Sequence, residues 1–437
     1  MEVKDEILER FEKYNESWPH DTERRNYFLD GLSGSSMLFY IASSFKSKPM
    51  SILYVADDKD KAAYSYDTLM TLLGGDIMLL TDSFRRPGNF VEINTANVLR
   101  RSEVASTLVN GVKPNIIVAY PESIFEMVVN PVELDKDKIT VKVGEKFDRD
   151  FVIEILIEYG FERVDFVYEP GQFSLRGAIV DIFSFGNGQP YRIEMDDDKV
   201  ESIRIFDPES QLSIKNVDFL NILPNANTKF EAIDRIPLFE ILKEDCQIVL
   251  EDRGFITERM AILYEKAEEI IQSISMVEQP ESQKFFKDRS FISPEMWEKS
   301  LNKYPVFHLT KPDGRIKCQT LNFETKPHPV ISKQFKLLVT HLEKNEQEGI
   351  ETWFFSENAR QIKRLESILT DLGAKNTFQP VIGSIHEGFL DTKSKIEILT
   401  DHQIFQRYHQ YSLKSGYTRD QAVTLRMLKE LQPGDYV

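Results

Sequence analysis

VYEPGQFSLRGAIVDIFSF (167–185) and PYRIEMDDDKVESIRIFDPESQLS (190–213) decide how this 437-residue chain is organised. Apolar and polar residues alternate in short runs broken by turn residues, the pattern of half-buried antiparallel strands. ITVKVGEKFD opens the region near 138, and one helical stretch, DFVIEILIEYG (150–160), precedes most of its strands. Residues 138–215 are therefore expected to form a small strand-rich α+β domain.

Outward from this insert the rhythm changes. SILYVA (51–56), IMLLTD (77–82) and NIIVAY (115–120) are apolar runs, the first two separated by a helical stretch ending in Gly74-Gly75. Such alternation predicts a parallel sheet flanked by helices. QIVLED (247–252) and the helical TERMAILYEKAEEIIQSI (257–274) restore that character after the insert. The simplest arrangement is one α/β domain, residues 1–137 and 216–330, interrupted by the insert. DEILERFEKYN (5–15) adds a docking helix with Ile7, Leu8, Phe11 and Tyr14 on one face. A second small α/β domain is expected over 331–410, with 411–437 as a linker helix. The closing LQPGDYV, a turn followed by the start of a strand, suggests that the chain stops at a domain boundary with more protein beyond it.

Composition narrows the function. A formal charge of −17 disfavours a surface built mainly to wrap DNA. The two cysteines, Cys246 and Cys318, form no CxxC pair, so neither a disulfide framework nor a cysteine zinc site is expected. No apolar run approaches the ~20 residues of a membrane helix, and MEVKDEILER has no apolar signal segment, which points to the cytoplasm. His402 and His409 would stand about 10 Å apart along a helix, too far to share a metal. No metal, cofactor or catalytic constellation is assigned.

GLSGSSML (31–38) stands where a P-loop would read G-x-x-x-x-G-K-[ST]. Aligned on Gly31, and with Gly34 inside the loop, the second required glycine is Ser36, the lysine Met37 and the Ser/Thr Leu38. Ser36 restricts the cradle, Met37 carries no charge for the β- and γ-phosphates, and Leu38 has no oxygen for Mg²⁺. No nucleotide binding is expected here, whether the loop is a degenerate phosphate loop or simply a small-residue turn opening a helix.

The insert resembles the signature shared by the repair protein UvrB and the bacterial transcription-repair coupling factors. The matching positions are Pro170-Gly171, Phe173, Arg176-Gly177, Asp181-Ile182-Phe183, Arg192-Ile193-Glu194, and Glu201-Ser202-Ile203-Arg204 through Phe206-Asp207. UvrB would need an intact phosphate loop, so the departure at 36–38 favours the coupling factors, whose first domains are UvrB-like without the ATPase. The resemblance implies a non-catalytic module that binds UvrA, with Arg163, Arg176 and the weaker anchor Phe183 on the contact surface. Period-two alternation places Arg176 with Ser174 on the solvent side, and UvrB carries a further arginine where this chain has Ser174. RNA polymerase and double-stranded DNA would be met by other domains of a longer protein. The rival reading is a UvrB-type enzyme that binds ATP and DNA itself.

Overall fold

In this computed structural model residues 3–406 are described, except 15–17, 20–25, 76, 87–88, 94, 112, 131–138, 185–188, 223–234, 276–290, 330, 332 and 376–377. His409, the helix expected at 418–431 and the Pro433-Gly434-Asp435 turn lie outside them.

The large sheet has seven strands, all parallel, in the order Gln319–Asn322, Asn26–Asp30, Val306–His308, Gln247–Leu250, Ile52–Val55, Ile116–Ala119, Ile77–Leu79. Strands from before and after the insert pair directly: Leu53 with Ile248, Tyr27 with Phe307 and Gln319. Residues on both sides of the insert therefore share one sheet. Alternation divides its strands between two cores. Ile52, Tyr54, Ile116 and Val118 enter one. Leu53, Val55, Ile117, Ala119, Ile248 and Leu250 enter the other, beneath the helix Arg253–Ser275. Burial on both faces explains why these strands read as unbroken apolar runs.

Local signals set the ends of the helices. Asp58 caps Lys59–Leu73 by accepting from the Lys61 amide at 2.8 Å, and Gly74, at φ +81°, ends it. Asp148 caps Arg149–Glu158 in the same way.

The second small sheet is mixed, in the order Thr325–Pro327, Phe389–Asp391, Ile396–Thr400, Glu351–Ser356, Phe378–Ile382. It begins at Thr325, six residues before the boundary expected at 331. Phe354, Leu399 and Phe378 pack under the helices Phe335–Glu348 and Ala359–Asp371. The other face does not form a private core. Trp353, Phe355, Phe389, Ile396 and Ile398 share a single core with Phe11, Phe39 and Tyr40. Helix Ser36–Ser47 runs through it, buried on every side from Ser36 to Phe45. The Tyr40 hydroxyl donates to Asp391 at 2.6 Å, and Arg10 pairs with Glu351.

The buried His308 in the large sheet pairs through Nε2 with Asn26 Oδ1 at 3.0 Å. Burial, assisted by Arg253, lowers its pKa to about 4, and burial does the same to His328. Both lie below the unfolded value of about 6.5, so the stability they lend is full above that pH and is lost as pH falls toward 4. The urea midpoint is expected to be lower at pH 5 than at pH 7, and His308→Asn should narrow the difference. An unchanged difference in that variant would mean that His308 is not a source of it.

Candidate partner-binding site

Two places carry the sequence-level expectations, the loop at 31–38 and the insert. The loop joins strand Asn26–Asp30 to helix Ser36–Ser47, the setting of a phosphate-binding turn. Several of its polar groups are already engaged. The Ser35 amide donates to the Glu387 carbonyl at 3.2 Å, and Ser35 Oγ accepts from the Glu387 amide at 3.0 Å. The Ser33 amide donates to Ser36 Oγ, which also lies 3.3 Å from Thr325 Oγ1. The Gly31 carbonyl accepts from both the amide and the hydroxyl of Thr325. Gly31 and Gly34 have φ of +82° and +55°, and a Cβ on either would strike backbone oxygen, Phe323 at 2.1 Å and Gly388 at 2.6 Å. Met37 and Leu38 are buried in the shared core.

The insert is a six-stranded sheet in the order Ser213–Val217, Lys199–Phe206, Tyr191–Asp196, Ile179–Phe183, Gln172–Arg176, Glu162–Arg163, antiparallel except for its last pair. It closes where Phe219–Ile222 pairs with Ile139–Lys142, beyond the expected end at 215. Phe173, Val180, Ile182, Ile193 and Ile203 point inward with Val152 and Leu156 of helix Arg149–Glu158. The opposite face carries charge. Ser174, Asp181, Arg192 and Arg204 register across neighbouring strands.

Asp181 is the hub of that face. Its carboxylate is fully buried yet accepts from Arg192 Nε at 2.8 Å and Nη2 at 2.9 Å, and also from Arg176 Nη2. The Arg192 guanidinium sits 4.5 Å from the Phe206 ring centroid and gives Nη1 to the Gln211 carbonyl. Hydrogen bonding to Asp181 raises its pKa further above the ordinary arginine value. Arg192 thus has every nitrogen committed. Arg176 makes only its Nη2 bond among the described residues and lies 4.8 Å from the centroid of Phe166. One buried carboxylate therefore locks two guanidiniums, one bonded through all three nitrogens and one through a single nitrogen.

This charged sheet lies inside the segment that comparison with known proteins identifies. Residues 139–227 match the family model of the UvrB interaction domain. The chain as a whole is 25% identical to the transcription-repair-coupling factor of Staphylococcus haemolyticus (strain JCSC1435) over 98% of this chain and 42% of that protein. It is 24% identical to those of Bacillus subtilis (strain 168) and Staphylococcus aureus (strain MSSA476), over 94% of this chain and 41% of each. The chain thus spans about two fifths of the length of the curated relatives it matches. Its resemblance to the transcription-repair-coupling factors runs through both α/β parts as well as the UvrB interaction domain.

Within that domain the three expected contact residues are dispersed. Arg163 is exposed on the edge strand and registers with Phe173, so it lies on the helix-covered side. Arg176, three residues past Phe173, lies on the charged side. The two arginines flank one sheet edge from opposite faces. Arg176 is also not a freely solvated charge, since its side chain is 36% exposed and tied to Asp181. Phe183 is corrected outright as a surface anchor: its exposure is 0%, and it packs with Val167 and Phe206 in a satellite core. Ser174 is likewise buried, pressed beside Asp181. Sequence reasoning passed over Phe166, which is 46% exposed beneath Arg176. The hint was present in VDFVYEP, where Phe166 and the buried Val167 cannot both face inward.

Among the described residues, no cluster of three His, Cys, Asp or Glu could hold a metal ion. No described helix is long and apolar enough to cross a membrane. Cys246 and Cys318 are free thiols, and burial pushes the Cys246 pKa up.

Proposed function

We propose that this chain is the recruiting portion of a cytoplasmic transcription-repair coupling factor, and that its insert binds UvrA without catalysing a reaction. The observation that carries this reading is the match of residues 139–227 to the UvrB interaction domain, on a sheet whose edge offers Arg163 and the uncommitted donors of Arg176. Arginine with free guanidinium edges is suited to bidentate recognition of a partner's carboxylates. RNA polymerase and double-stranded DNA would be engaged by other parts of the longer protein. Titrating purified UvrA into the chain, followed by light scattering or calorimetry, tests the reading: a saturable 1:1 or 1:2 complex is expected, and no complex at tens of micromolar would remove UvrA recruitment as an activity of this chain.

The rival, a UvrB-type enzyme that uses ATP and DNA directly, is disfavoured by the loop at 31–38. We take it as a degenerate phosphate loop whose Ser35 amide and hydroxyl are bonded to Glu387 and whose Gly31 carbonyl is held by Thr325. A phosphate would have to displace the second α/β unit before reaching them. Titration with a fluorescent ATP analogue and Mg²⁺ should give no saturable signal up to millimolar concentrations. A dissociation constant in the micromolar range, competed by ATP, would restore the enzyme reading.

A further inference from the structure

We propose that Phe166 and Arg176 form a single preorganised contact element that reads an acidic side chain lying next to an apolar one on the partner, with Asp181 and Arg192 as its positioning residues. The inference rests on the insert being a protein-docking surface and names the part of that surface which does the reading.

Three observations lead to it. Phe166 is a large aromatic left 46% exposed beside a fully buried core residue, Val167. The Arg176 guanidinium lies 4.8 Å from its centroid, at a distance suited to cation–π attraction. Arg176 is anchored through Nη2 alone to the buried Asp181, so Nε and Nη1 make no hydrogen bond to described residues. The element thus presents an apolar ring and a cation with open donors, both held in place before binding. Side chains already fixed lose less conformational freedom on association than mobile ones.

Charge on the same face indicates the occupant. Arg176 and Arg192 oppose the single carboxylate of Asp181, leaving one net positive charge. Arg192 is the less available of the two, since Nε and Nη2 hold Asp181, Nη1 holds the Gln211 carbonyl and its side chain is 15% exposed against 36% for Arg176. The surplus is therefore available at Arg176, beside an exposed ring. Glu162 and Asp165 are also exposed nearby, which disfavours a partner approaching with unbroken negative charge and favours a lone carboxylate flanked by apolar groups. Aromatic and arginine side chains are the types enriched at energetically dominant interface positions.

The test is a double-mutant cycle on UvrA binding using the whole chain. Phe166→Ala should weaken the complex at least about tenfold, with far-UV circular dichroism and melting unchanged because the ring is half-exposed. Phe166→Tyr should stay within about threefold of the parent. Arg176→Ala should cost less in the Phe166→Ala background than in the parent, the non-additivity of groups that act together. Arg192→Lys, which keeps the charge but loses the two-point grip on Asp181, should weaken binding through Arg176 and leave no further effect once Arg176 is alanine. If the parent binds UvrA and Phe166→Ala binds equally well, this element is not the reader and the proposal fails while recruitment stands. Strictly additive losses would overturn the single-element claim in the same way. Absence of binding by the parent would overturn recruitment itself, and this inference with it.

Discussion

Replacing Arg163 and Arg176 together with alanine is expected to weaken UvrA binding by about a hundredfold while leaving the fold intact. Hydrogen bonds to charged groups contribute about 1.5–3 kcal/mol each, so losing two near the lower figure removes about 3 kcal/mol, or roughly two decades in Kd. Stability should hold for a specific reason. Arg163 is exposed on an edge strand, and removing Arg176 leaves Asp181 still gripped at two points by Arg192. Isothermal titration with matched melting curves checks both halves. Binding within threefold of the parent would move the docking surface away from this sheet edge. Because the two arginines stand on opposite faces, the single variants should each retain part of the affinity, and a partner that wraps the edge would feel both.

Asp181→Ala should have the opposite profile and destabilise the insert by about 3–5 kcal/mol. That is the usual cost of removing one partner from a buried ion pair, because the other charge is stranded. The guanidinium left behind is that of Arg192, whose side chain is only 15% exposed. A loss of this size is a large fraction of the 5–15 kcal/mol that ordinarily holds a domain together. The chain reports on itself here: Trp18, Trp297 and Trp353 are its three tryptophans and none lies in the insert. Asp181→Ala should therefore show an early loss of circular dichroism without a matching change in tryptophan fluorescence. Coincident transitions at the parent's midpoint would show that Asp181 is dispensable to the sheet.

Alternation in the 167–213 region and the apolar runs at 51–56, 115–120 and 247–252 were enough to anticipate a strand-rich stretch and a parallel sheet flanked by helices, because period and burial are local properties. The Gly74 stop was legible for the same reason. Tertiary placement was not. SILYVA and QIVLED announce two strands, yet nothing in either says that Ile52 and Gln247 stand side by side. The single shared core was equally hidden, since IETWFFSE looks like any strand of a separate domain. At the candidate site, alternation put Arg176 on the outer face correctly but could not foresee that Asp181 would draw it down. Phe183 misled because its strand alternates as expected, and its outward side is then roofed by Val167 and Phe206. Arg163 depended on a two-residue edge pairing that has no sequence pattern of its own.

The helix that follows the loop at 31–38 has a consequence for the history open to this chain. With Ser36 to Phe45 walled in by two sheets, a lysine at position 37 would bring an ammonium into an apolar interior before it met any phosphate. Desolvating such an ion costs several kcal/mol, and the compensating ligand would be barred by Glu387 and Thr325. Building a phosphate loop here by single substitutions would thus pass through unstable intermediates. The packing filters what positions 36–38 can become: a side chain there is accepted by how it fits between the two sheets, before any phosphate could reward it.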